Sequence, residues 1–83
     1  MYTIVIDRYA QKQLGKIPRP HFNRIVKAIN DLATDPRPHG YKKLTARPGY
    51  RIRIGDYRVI YNIEDKILTV FVIDIGHRRE IYD

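Results

Sequence analysis

The chain has no cysteine, few acidic residues and no long apolar run. Lacking thiols, it can form neither a disulfide nor a zinc ribbon and carries no sulfur nucleophile, a composition that suits a reducing cytosol. Its longest apolar stretch, ILTVFVIDI at 67–75, falls far short of the roughly 18 residues that span a bilayer. The N-terminal MYTIVIDRYAQKQL lacks the apolar core of a signal peptide, so a soluble cytoplasmic protein is expected. The scarce carboxylates make no acid–base pair, and no Ser-His-Asp, P-loop or GxGxxG pattern occurs. His21 and His39 have no partner at metal-ligand spacing, so neither metal nor cofactor is expected. Against only 9 Asp and Glu stand 16 Lys and Arg, a formal charge of +7. So basic a small chain suits an anionic partner, either nucleic acid or an acidic protein.

The 83 residues leave room for one domain, and no repeat or low-complexity segment interrupts them. A chain of this size buries only roughly 60–65% of its unfolded surface, so its stability margin is thin. YTIVID is a β-branched first strand. Asp7 can cap a helix through RYAQKQLGKI, with Ala10, Leu14 and Ile17 on one side and Gly15 near its end. Pro20 suits the first turn of a second helix, in which Phe22, Ile25, Val26, Ile29, Leu32 and Ala33 keep the spacing of one helical face. TDPRPHG ends that helix, because a residue before proline disfavours the α region. Residues 36–49, rich in Pro, Gly, Lys and Arg, read as a connector, and strands follow near 50–54, 57–63 and 67–75. The order β-α-α-β-β-β implies an α+β fold: an antiparallel-dominated twisted sheet with both N-terminal helices packed on one face.

The segment GYRIRIGDYRVIY assigns residues to the two sheet faces. Gly55-Asp56 predicts a two-residue type II′ turn. Ile54 then pairs with Tyr57, Arg53 with Arg58, Ile52 with Val59 and Arg51 with Ile60. A two-residue turn at Glu64–Lys66 brings Leu68, Val70 and Val72 onto the face of Tyr50, Ile52, Ile54, Tyr57, Val59 and Tyr61, which is apolar enough to be the core. The first strand belongs beside the third or fourth. The other face carries Arg51, Arg53, Arg58, Ile60, Thr69, Phe71 and Ile73, and no predicted helix is left to cover it. Arg53 beside Arg58 is a like-charge pair that destabilises a sheet by roughly 0.2–1 kcal/mol. Arginines beside exposed apolar residues mark a binding surface.

The stretch KLTARPGYRIRIGDYRVIYNIEDKILTVFVIDIGHRREIY, with its hairpin arginines, YRVIY and a later glycine followed by HR, resembles the C-terminal half of RelE/ParE superfamily toxins of type II toxin–antitoxin systems. The element order is similar over essentially the whole chain. The resemblance implies one of two activities: RelE-like members are ribosome-dependent endoribonucleases that cut mRNA in the A site, and ParE-like members poison DNA gyrase. Similarity to the RelE branch falls on Arg51, Arg53, Arg58, Arg78 and Tyr82, which it implies are catalytic. Lys42, Lys43, Arg47, His77 and Arg79 are further substrate-binding candidates. The implied partners are a cognate antitoxin laying an acidic and apolar segment over the arginine face, and the ribosome with its mRNA. The alternatives are a ParE-like gyrase inhibitor and a basic RNA-binding module without catalysis. RelE-type enzymes often have lysines where this chain has Arg51 and Arg53. Arginine stays protonated, so both are given electrostatic roles, and the base is left between Tyr82, His77 and the substrate or ribosome. With the chain stopping at Asp83, the C-terminal helix of longer relatives is not expected.

Overall fold

The computed structural model describes residues 1–77. Strand β1 (Thr3–Ile6) is the β-branched run at the start. Asp7 ends it and turns the chain, for its N–H donates to the Val72 carbonyl at 3.0 Å while its carboxylate accepts from Ala10 N at 3.0 Å. That cap opens helix α1 (Arg8–Gly15), which buries Ala10 and Leu14. Helix α2 (Arg19–Asp31) starts with Pro20 in its first turn and buries Ile25 and Ile29. Four strands follow: β2 (Lys42–Lys43), β3 (Tyr50–Ile54), β4 (Tyr57–Glu64) and β5 (Thr69–His77).

The sheet order is β1-β5-β4-β3-β2. The first strand lies parallel to β5, with Thr3 opposite Thr69 and Ile6 opposite Val72, and every other pairing is antiparallel. Beneath the helices Ile25, Ile29, Leu32, Val59, Tyr61, Val70, Val72 and Ile75 are all buried. Tyr61 is the bulkiest of these, and its hydroxyl donates to the Pro36 carbonyl at 2.8 Å, tying the start of the connector to the core. Burial pushes the Tyr61 phenol well above its ordinary pKa, which keeps it a neutral donor.

The hairpin register agrees pair for pair with the sequence reading, including Arg53 opposite Arg58. Gly55 has φ +60°, and Leu68 is the one non-glycine residue with positive φ among those described. Asp56 therefore keeps negative φ, the pattern of a type II′ turn.

Three features depart from the sequence reading. The connector contributes a two-residue edge strand, β2, too short to carry any alternation. The β4–β5 connection is not a two-residue turn: Glu64 pairs with Thr69 across a 3-10 turn at Asp65–Ile67 closed by Leu68 at φ 47°. Leu68 is consequently half exposed instead of joining the core. Four loop residues keep the parity of two, so Val70 and Val72 still face the helices. Finally, the register slips by one between Ile60, opposite Asp74, and Tyr61, opposite Val72. This β-bulge puts Ile75 in the core and moves Asp74 to the other face, where uninterrupted alternation would have buried a carboxylate beneath the helices.

Candidate nucleic-acid interface

On the face away from the helices, cross-strand pairing lays out two rows. One runs Lys42–Arg51–Ile60–Asp74 and the next runs Arg53–Arg58–Gly76. Three strands and a tight turn thus put three arginines and a lysine within neighbouring positions of one surface. Arg53 is exposed, Arg58 half-buried and Arg51 only 4% exposed. Gly76 offers no side chain at the third position of its row.

This face is less bare than the sequence suggests. Leu44 of the connector folds onto Ile60 and Ile73, making a second small apolar cluster in which Leu44 and Ile60 are buried. Arg47 follows it down and donates to Asp74 Oδ2 at 3.2 Å, while Asp74 Oδ1 accepts from Gln13 Nε2 at 2.9 Å. Gln13 Oε1 in turn accepts from Ile75 N at 2.8 Å. Beyond Ile6, β1 no longer pairs with β5, so Gln13 supplies the partner that a strand would have given. The connector needs Gly49, at φ +117°: a Cβ there would lie 2.9 Å from Asn62 Oδ1 and 3.1 Å from the Tyr61 carbonyl.

The strand β2 stops after two residues, and the edge of β3 beyond it opens into a groove of about 450 Å³ bordered by His39, Tyr41, Lys42, Arg51 and Arg53. His39 was passed over in the sequence because it has no metal-ligand partner. Only the pairing of Lys42 with Arg51 shows that the residues preceding β2 run beside the arginines.

The structure brings together Arg51, Arg53, Arg58, Lys42 and Arg47. It separates two other candidates from them. Lys43 pairs with Tyr50 and His77 with Tyr57, both in rows that face the helices. The bulge does not change this for His77, since its register with Tyr57 puts it one residue past Gly76 and on the reverse face. Arg78, Arg79 and Tyr82 lie outside the described residues. Among the described residues no group of three or more His, Asp or Glu is arranged to hold a metal ion, and no helix is long and apolar enough to cross a membrane.

A short mixed sheet with two helices on one face and a cationic hairpin on the other is the fold of RelE-like toxins. The sequence model of the ParE toxin of the type II toxin–antitoxin system parDE matches residues 4–82. Toxin RelG of Mycobacterium tuberculosis is 31% identical over 83 residues, covering 98% of this chain and 95% of that protein. The structure resembles the toxin–antitoxin complex RelBE2 of M. tuberculosis, with a TM-score of 0.82 at 30% identity over 93% of this chain and 98% of that one. It is also similar to the intact Escherichia coli RelBE complex, with a TM-score of 0.80 at 28% identity over 93% and 96% of the two chains. The chain belongs to the RelE/ParE family of toxins of type II toxin–antitoxin systems.

Proposed function

We propose that this toxin is a ribosome-dependent endoribonuclease of the RelE kind. The observation that carries the reading is the cross-strand pairing of Arg53 with Arg58, beside Lys42 and Arg51, on the sheet face that the helices leave open. Cationic side chains gathered on one face suit an anion, and a scissile phosphate is such an anion. Attack by a ribose 2′-oxygen forms the O2′–P bond and breaks P–O5′, leaving a 2′,3′-cyclic phosphate and a 5′-hydroxyl. Guanidinium groups hold the phosphate bidentately and offset the charge that grows on its oxygens. Arginine cannot accept the 2′-OH proton. His39, bordering the same groove as Arg51 and Arg53, is an imidazole suited to that step, whereas His77 faces the helices. The O5′ leaving group takes its proton from water or from the imidazolium so formed.

The partner that neutralises such a site is an antitoxin segment with carboxylates for the arginines and apolar side chains for their neighbours. Val5, 40% exposed, pairs with half-buried Phe71 on the same face, and half-buried Ile73 extends that strip.

Purified ribosomes programmed with a defined mRNA test the reading. Wild type should cut in the A site, and Arg58→Ala should slow cutting on the order of 10²–10³. His39→Gln should lower it by on the order of 10². Intact mRNA with wild type, together with inhibited gyrase supercoiling, would replace this reading by the ParE-like one.

A further inference from the structure

At the hairpin-turn end of the molecule, on the helix side, lies a second cleft of about 550 Å³, separate from the arginine groove. Its walls include Tyr9, Lys12 and Lys16 of the first helix and its C-cap, and Tyr57, Gly76 and His77 of the sheet. Among the described residues no carboxylate lines it. Lys12 and Lys16 stand four apart on one flank of the helix end, both exposed, and neither is in a salt bridge among the described residues. The rings are arranged in a row: His21 to Tyr57 is 5.2 Å between centroids, and Tyr57 to His77 is 5.6 Å and nearly perpendicular. Tyr9 is 61% exposed, a large ring that the core does not use.

The cleft adjoins the arginine face around the sheet end. Gly76 pairs with Arg58 and also lines the cleft, and the next pair, Tyr57 with His77, already faces it. A single strand held by its phosphate at Arg58 and passing the Gly55–Asp56 turn would arrive between the lysines and the rings.

We propose that this cleft takes an unpaired ribonucleotide of the same RNA strand, adjacent to the one at the arginine face. Its base stacks on Tyr9 or Tyr57 and its phosphate lies between Lys12 and Lys16. The proposal rests on the nuclease reading and extends it by naming the path of the strand. Lysines beside exposed aromatic faces are the combination by which proteins hold single strands without reading their sequence. An acidic peptide would satisfy the lysines and make no use of the exposed Tyr9 ring, which favours RNA.

The experiment uses a fluorescein-labelled, uncleavable 2′-O-methyl decaribonucleotide, with binding to the full chain followed by anisotropy across a salt series. The Lys12→Gln/Lys16→Gln double variant should bind about tenfold more weakly, with a salt slope shallower by about 0.7, the contribution of the one phosphate held between the two lysines on a single strand. Tyr9→Ala should weaken binding by at least about fivefold without changing that slope. Should the double variant bind as wild type does while Arg58→Ala is weakened, the cleft is off the RNA path and the nuclease reading survives. Should the double variant instead lose affinity only for a Glu-rich dodecapeptide, the cleft is a protein-docking site and the proposal fails. A wild-type chain that neither binds the oligonucleotide nor cuts mRNA would remove the nuclease reading together with this extension.

Discussion

The two faces of the sheet are built from the same strands and obey opposite rules. Toward the helices, Ile52, Val59, Tyr61, Val70, Val72 and Ile75 are buried, and the Tyr61 hydroxyl has its acceptor. Away from them, Arg53 lies opposite Arg58, and the buried apolar material is a small cluster at Leu44 and Ile60, with Ile73, Phe71 and Val5 partly exposed on the same face. Because strand side chains alternate with a period of two, one residue step separates a position that stabilises the fold from one that costs stability. The helix-side face holds the strands in register, and the register keeps the arginines together. Substitutions on the two faces should therefore act on different measurements.

The largest effect is expected on the helix side. Ile29 is 1% exposed beneath the sheet, and Ile29→Ala should lower unfolding free energy by about 2–5 kcal/mol. In a chain of this size each kcal/mol corresponds to about 4–8 °C in Tm, so the loss should be at least about 8 °C. A calorimetric scan showing a change of only a degree or two would mean that α2 is not what fixes the sheet.

On the other face the sign should reverse. Arg53→Thr removes one member of a like-charge pair and supplies a residue with good strand propensity. Stability should rise by about 0.2–1 kcal/mol, read as a higher urea midpoint, while A-site cleavage by the same variant falls. A variant that is both less stable and fully active would contradict the division of labour between the faces.

Much of this division can be read in the sequence, and the reasons are local. Gly55-Asp56 between alternating strands sets the turn type, the turn sets the register, and the register sets Arg53 against Arg58. Asp7 as a cap and the spacing of Ile25, Ile29 and Leu32 are equally local signals. What escapes depends on contacts between distant segments. The bulge that diverts Asp74 from the core is linked to Gln13, 61 positions away, and nothing in VFVIDIG announces an extra residue. Lys43 and His77 are near the arginines in sequence but face the helices, because a pleated strand sends neighbours to opposite sides. His39 shows the converse, a loop residue brought to the arginine groove only by the pairing of β2. Leu44 reads as a connector residue, yet it folds onto Ile60 and Ile73 on the face that no helix remains to cover.

The smallest effect concerns the end of the molecule away from the hairpin turn, where neither face decides the outcome. Asp65, in the 3-10 turn, accepts from Arg37 Nη2 at 2.9 Å and from the Tyr2 hydroxyl, joining the connector and the chain start to the β4–β5 connection. The Arg37 guanidinium, and after it the Tyr2 hydroxyl, hold the Asp65 carboxyl below its ordinary pKa. A carboxyl whose folded pKa lies below its unfolded value adds stability above the unfolded value, near 3.9, and loses it as pH falls through the folded one. Asp65→Asn should therefore lower the urea midpoint slightly at pH 7, and the gap from wild type should close as both are taken to about pH 3. The pair is solvent-exposed, so salt should shrink the gap at neutral pH as well. A gap of the same size at pH 7 and pH 3 would show that the side chain acts through packing of the turn and not through its charge.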